Sequence, residues 1–195
     1  MSAPSAEPIF LADYDHAWPA LFEEERARLE EAIGEWAVAI EHVGSTSIPG
    51  IAAKPVIDIA VGVLDIREGY KTIFPLSKLG YRCMGEGGIP ERLYFKKPWN
   101  SESLRSPGSV PRTHQIHMYE TTNPEWERHL IFRDYLRGHP DVRDEYEALK
   151  RHLAVKHAED IEAYANAKSD FVSRILALAT SPSSGSPEGG SSGKP

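Results

Sequence analysis

Apolar positions along the chain follow two different periods, and the change from one to the other marks the elements. Over residues 15–34, Trp18, Leu21, Phe22, Leu29, Ala32 and Ile33 recur at helical spacing, with Glu23, Glu24, Glu25, Arg26, Arg28 and Glu30 between them. Asp15 is placed to cap that helix, Pro19 falls near its first turn, and Gly34 ends it. The acidic run reads as a solvated face. Two near-continuous apolar runs, 36–43 and 56–63, have the length and β-branched content of buried strands. Asp65 then opens a helix expected to reach Leu79, with Tyr70, Ile73, Leu76 and Leu79 on one side and Pro75 placed to kink or split it. A short strand is expected over 81–84 and a longer one over 92–96, with Leu93 and Phe95 facing one way and Arg92, Tyr94 and Lys96 the other. Its partner is 113–119, and residues 97–112 between them form a long loop rich in Ser and Pro.

From Asn123 onward the period is helical throughout. Trp126, Leu130, Arg133 and Leu136 mark one helix, stopped by Gly138 and Pro140; Val142, Tyr146, Leu149 and Leu153 mark a second; Phe171, Ile175 and Leu178 mark a last one. Strands with a few helices first, then helices alone, define an α+β domain with a small mixed sheet covered by helices. Residues 1–8 read as a flexible N-terminus, 9–179 as the domain, and 180–195 as a Ser, Gly and Pro tail unable to bury enough apolar surface to order itself.

The stretch 42–63 carries the chemistry. Its second apolar run holds one acid, Asp58, and a buried carboxylate costs several kcal/mol unless it is paired or hydrogen-bonded. It is either a metal ligand or a structural acid paired with Lys54 or Arg92. The preceding turn, Gly44, Ser45, Thr46 and Ser47, offers backbone N–H groups and hydroxyls suited to a phosphate. In a strand over 113–119, Gln115, His117 and Tyr119 share one face, with His114, Ile116 and Glu120 on the other, so His114 and His117 do not form a metal pair. His117 is either a ligand contact or base, or a hydrogen-bonded structural histidine. Arg133 lies on an inward stripe, its guanidinium either paired with an acid or aimed at an anion, and it faces away from its neighbour Asp134.

The run His42-Val43-Gly44-Ser45-Thr46-Ser47, continued by Pro49-Gly50, Lys54-Pro55 and Asp58, resembles the GrpB family of the nucleotidyltransferase-fold superfamily. His114-Gln115-Ile116-His117 and Phe132-Arg133-Asp134-Tyr135-Leu136 are similar to that family too, so the resemblance covers roughly residues 8–178. It implies a nucleotidyltransferase-like sheet that binds a nucleotide or other phosphorylated small molecule. Gly44, Ser45, Thr46, Ser47, Lys54, Arg92 and Arg133 are the candidate phosphate contacts. Position 60 is Ala where an active transferase of the superfamily carries its second strand acid. Another carboxylate is then needed, and Glu120 is the candidate by analogy. The expectation is Mg²⁺ at Asp58 and Glu120, with His117 as base, in a magnesium-dependent transferase. The alternative is a catalytically inactive ligand-sensing or interaction module, linked to coenzyme A metabolism through the fusion of GrpB-like domains to dephospho-CoA kinase.

Composition narrows the partners. With a formal net charge of -7 over 195 residues, broad nucleic-acid binding by phosphate neutralisation is not expected. The single cysteine, Cys83, allows no internal disulfide and no Cys-based zinc site, and suits a reducing cytoplasm. No secretory signal reads in the first residues, and no apolar run approaches the roughly 20 residues a spanning helix needs.

Overall fold

In the computed structural model, residues 9–98 and 111–181 are described. The expected N-terminal segment 1–8, most of the loop 97–112 and nearly all of the tail lie outside the described residues. Helix α1 (Trp18–Ile33) leads into β1 (Ala37–Val43), a single 3₁₀ turn (Ser45–Ser47) and β2 (Ile57–Val63). The helix expected from Asp65 to Leu79 is broken into α2 (Ile66–Gly69), a 3₁₀ turn (Tyr70–Thr72) and α3 (Ile73–Lys78). Pro75 explains the break: it lacks the N–H that would bond back to Lys71, and its ring crowds the carbonyl there. Strands β3 (Arg82–Cys83), β4 (Leu93–Lys97) and β5 (His114–Glu120) follow, then α4 (Pro124–Gly138), α5 (Pro140–Lys156), α6 (Ile161–Asn166) and α7 (Ser169–Thr180). Asn123 caps α4 by accepting from Glu125 N at 2.9 Å, and Asp160 caps α6 by accepting from Ala163 N at 2.9 Å.

The strands form a five-stranded sheet in the order β1-β2-β5-β4-β3. The β2–β5 pair is parallel and the others antiparallel, with Asp58 opposite Gln115 and Val63 opposite Glu120. Alternation divides the strand residues between two layers. Ile57, Ile59, Val61 and Val63 of β2 and Ile116 and Met118 of β5 pack with Trp18, Phe22, Leu29 and Ile33 of α1. The opposite face carries Asp58, Ala60 and Gly62 of β2 and Gln115, His117 and Tyr119 of β5, and α4 lies over it. Ala60, Val43 and Tyr119 pack there against Trp126. At Gly62 a Cβ would meet Thr121 Cγ2 at 2.8 Å and the Trp126 ring at 3.2 Å, so α4 sits on bare backbone. Ile48 and Ile51, beyond the 3₁₀ turn, pack with Leu136, Tyr146, Phe171 and Ile175 of the C-terminal helices.

One expectation about α1 is overturned. Glu25, placed by its neighbours in a solvated acidic run, has no exposed surface. Its carboxylate accepts from Tyr81 Oη at 2.9 Å, Lys97 Nζ at 2.7 Å and Arg28 Nη1 at 3.0 Å. Those cationic and phenolic donors meet the requirement that a buried charge be paired and hydrogen-bonded.

Candidate functional site

The end of β1 and the start of β2 meet at Gly44, whose φ of 69° and ψ of -173° suit glycine alone. That backbone turns Ser45, Thr46 and Ser47 over the Asp58 carboxylate. Three hydrogen bonds hold the turn: Ser47 Oγ donates to Gly44 O at 2.6 Å, Thr46 Oγ1 donates to Val56 O at 3.3 Å, and His42 Nε2 lies 3.0 Å from Thr46 Oγ1. Since the Thr46 hydroxyl is committed to Val56, it accepts from the imidazole, and His42 carries its proton on Nε2. Arg137 of α4 clamps the far side, donating to Ser47 O through Nε at 3.0 Å and Nη2 at 2.8 Å.

Asp58 sits on the floor of a cavity of about 290 Å³. Its side chain keeps 22% of its surface exposed, and Oδ1 accepts from Gln115 Nε2 and, at 3.3 Å, from His117 Nε2. Each donor is oriented by a residue behind it. Tyr94 Oη donates to Gln115 Oε1 at 2.6 Å, which turns the amide nitrogen toward Asp58. Arg92 Nη1 lies 3.2 Å from His117 Nδ1, which fixes the proton on Nε2 where it points at the carboxylate. Burial would raise the Asp58 carboxyl, but the hydrogen bonds from His117 and Gln115 outweigh it and hold it below the ordinary range. Asp58 is therefore an oriented, ionised carboxylate at neutral pH, with Oδ2 against the Gly44 turn.

Several sequence-derived assignments change here. Among the candidate phosphate contacts, Ser45, Thr46 and Lys54 line the cavity. Thr46 and Ser47 are 1% and 4% exposed, and their hydroxyls are spent on Val56 O and Gly44 O. Arg92 is 6% exposed and spends its other nitrogens on Glu86 O at 2.9 Å and Gly87 O at 2.7 Å, so it orients His117 instead of meeting an anion. Arg133 is paired with acids: Nη1 donates to Glu41 at 2.7 Å and Nε to Asp134 at 2.7 Å. Adjacent positions on a helix diverge at Cβ, but the long guanidinium arm folds back to its neighbour. The structure does not bring Glu120 to Asp58. In the parallel register Asp58 is opposite Gln115, and Glu120 lies five residues further along β5, about 16 Å away. Its Oε1 accepts from Ile66 N at 2.9 Å, at the start of α2.

Sequence reasoning missed the other wall of the cavity. Lys150 of α5, Tyr164 of α6 and Lys168, between α6 and α7, face it together with Arg112 and Tyr94. For Lys150 a signal was present: it occupies the buried stripe of α5 with Tyr146 and Leu153, where a lysine is out of place. As a donor set for a cation the cavity is sparse. Among the described residues no group of three or more His, Cys, Asp or Glu side chains converges to hold a metal ion. Asp58 alone suits Mg²⁺ that arrives on a phosphorylated ligand, since that ion commonly takes one or two protein carboxylates and fills its shell with phosphate and water.

The sheet order, the glycine turn over a strand carboxylate and the helices across that face define an α+β domain with a nucleotidyltransferase-like fold. The comparisons agree and go further. A profile of the family described as "GrpB protein" matches residues 8–178, and the chain belongs to the GrpB family. It is similar to the crystal structure of conserved protein GrpB from Enterococcus faecalis, with a TM-score of 0.76 and 36% identity, covering 87% of this chain and 96% of that one. It is 42% identical over 159 residues to UPF0157 protein YqkA of Bacillus subtilis, and 28% identical over 176 residues to a protein named dephospho-CoA kinase in Mycolicibacterium paratuberculosis. These matches cover 82% and 83% of this chain, but the chain spans only 43% of either relative. Among the described residues no helix is long and apolar enough to cross a membrane.

Proposed function

We propose that this domain binds a nucleotide or another phosphorylated small molecule in the cavity between the Ser45 turn and α5. The observation that carries the reading is the cavity itself, where Asp58, Ser45 and Thr46 share one hollow with Lys54, Lys150 and Lys168. Cationic side chains supply the charge a phosphorylated ligand needs, and the turn supplies short polar contacts. Mg²⁺ would enter on the ligand's phosphates, with Asp58 as the protein's oxygen donor, and would screen the repulsion between that carboxylate and the ligand.

Binding without nucleotidyl transfer is the reading favoured here, and Ala60 is the reason. Two-metal chemistry needs a further carboxylate beside Asp58. Position 60 is a fully buried methyl beneath Trp126, and Glu120 caps α2 at the other end of the sheet. A ligand-sensing or carrier role follows, and the dephospho-CoA kinase relative puts phosphorylated coenzyme A precursors among the candidate ligands. Calorimetry of the full chain with ATP, CTP and dephospho-CoA, each with and without Mg²⁺, tests the reading. The expected result is binding that Mg²⁺ strengthens, with Asp58→Asn removing the Mg²⁺ effect and Ser45→Ala weakening the complex. No binding to any of the panel, or binding unaltered in both variants, overturns it.

A further inference from the structure

Lys150 enters the cavity from α5 with 2% of its surface exposed. Its Nζ donates to Ala52 O and lies 4.9 Å from the centroid of the Tyr146 ring. Lys168 stands nearby, its Nζ 4.1 Å over the Tyr164 ring. Neither amine has a carboxylate partner among the described residues, although the surface of the molecule is laced with ion pairs. A buried ammonium without a counter-ion is costly, and Lys150 is one, while Lys168 is half-buried at its side. Two amines without carboxylate partners on one wall of an open cavity, one of them buried, mark a place where the anion comes from outside.

We propose that Lys150 and Lys168 form a phosphoryl-binding clamp on the helical wall of the cavity that Asp58 lines. The proposal rests on the binding reading above for its choice of cavity, and adds the residues that hold the ligand's anionic end and the pH range in which they do so. Two amines match a dianionic phosphoryl group in charge, and Lys54 lies on the same cavity. The anion also sets their protonation. Burial, with Lys168 beside it, lowers Lys150 to about 7 against the pull of Glu147 on its own helix and with a small push from Arg151. Burial lowers Lys168 to about 8, opposed by Asp58 and assisted by Lys54. Arg112 and Tyr94 line the same cavity, while Tyr164 lies against Lys168 and Tyr146 against Lys150. A bound phosphoryl group stabilises both ammonium forms, so at mildly alkaline pH the complex forms with uptake of protons.

Calorimetry of the full chain with inorganic phosphate and with pyrophosphate, in buffers of different ionisation enthalpy from about pH 6 to about pH 9, tests this. The expected result is proton uptake at about pH 8 and an affinity that falls by up to about tenfold per pH unit for each amine above its free value. Lys150→Met and Lys168→Met should each weaken pyrophosphate at least about tenfold, and Lys150→Met should reduce the proton uptake. If Lys150→Met does not fold, as judged by circular dichroism, Lys168→Met decides the matter. Wild-type protein that binds neither anion, or folded variants with unchanged affinity and pH slope, overturns the clamp. Nucleotides titrated into the same samples separate the two proposals. Pyrophosphate bound through the lysines with no nucleotide bound keeps the clamp and removes the nucleotide reading, while nucleotide binding indifferent to both lysines does the opposite.

Discussion

Gly44 and Asp58 are packed so closely that a Cβ on the glycine would lie 2.9 Å from both Cβ and Cγ of the aspartate, and closer still to Oδ2. The site is thus built by contact between a turn and a carboxylate, and the missing side chain is what allows it. Gly44→Ala meets two obstacles at once, a backbone φ of 69° and the Asp58 side chain in the way. The expected loss is about 1–3 kcal/mol of stability, read by urea unfolding, together with loss of ligand binding. Asp58→Gly added to Gly44→Ala removes Cβ, Cγ and Oδ2 together, so it should recover the steric part of the stability loss and leave the part due to φ. A double variant no more stable than Gly44→Ala would show that the two residues are not coupled in this way.

One buried imidazole, His42, and one half-buried, His129, make the fold sensitive to mild acid. Burial lowers His42 to about 4, opposed by Asp58 and helped by Arg137 and Arg133; burial and the neighbouring His117 lower His129 to about 3. Both folded values lie below the unfolded value near 6.5, so between them the unfolded chain binds more protons and stability falls as pH drops. Each imidazole should cost about 2 kcal/mol between pH 7 and pH 5, the loss levelling off only as pH passes the folded values. Urea unfolding at the two pH values measures the sum. His42→Gln keeps an N–H for Thr46 and cannot titrate, so it should remove about half of the fall. A variant with the wild-type pH dependence would take His42 out of the account.

Gln115 acts on a carboxylate, whose contribution is also lost as pH falls but at lower pH than that of the imidazoles. Its amide and His117 depress Asp58, so the stability from that group is present above the unfolded carboxyl value near 4 and is lost as pH falls through the lower folded value. Gln115→Leu removes one donor and frees Tyr94 Oη from its acceptor. The Asp58 carboxyl should rise, shifting its contribution to the acid limb toward higher pH, with about 1–2 kcal/mol lost near neutrality. Carbon-detected NMR titration of the aspartate side chains reads the shift directly. A midpoint equal to that of wild type would mean that the amide does not govern the carboxylate.

The strands, and the face each residue takes, were legible because period-two alternation and near-continuous apolar runs leave little choice of register once one face is buried. That logic put Gln115, His117 and Tyr119 together on the face that carries Asp58, where Gln115 and His117 bond its carboxylate. It failed where a charged residue belongs to an apolar stripe. Glu25 stands in the series Trp18, Phe22, Leu29 and Ile33, and Lys150 in the series Tyr146 and Leu153, so spacing marked both as inward while their chemistry argued for solvent. Spacing was the better guide: one is neutralised by Lys97 and Arg28, and the other faces the cavity. For Arg133 the sequence left pairing with an acid and contact with an anion both open, and the first is found, but neither its partners nor the place of Glu120 could be read. Both depend on which long side chains reach one another across elements, Glu41 at the β1 edge in one case and the first turn of α2 in the other.

Ala60 provides a test of whether transfer chemistry could be restored by one substitution. Position 60 lies two residues from Asp58 on the same face, the spacing at which two strand carboxylates share a metal pair. In this chain, however, Ala60 has no exposed surface, pairs with His117 in the sheet register and packs with Val43, Tyr119 and Trp126. Ala60→Asp therefore places a charge in a filled layer and presses it on a neighbouring aspartate, where burial and like charge both raise its carboxyl. The expected outcome is a loss of about 3 kcal/mol or more at neutral pH, relieved as pH falls and the new acid protonates, with no nucleotidyl transfer to labelled acceptors. Urea unfolding at about pH 7 and about pH 5, corrected for the wild-type histidine effect, reads the first part, and a radiolabelled nucleotide transfer assay reads the second. A stable Ala60→Asp protein with Mg²⁺-dependent turnover would mean that the cavity is a transferase site lacking only its second acid, and would replace the binding reading.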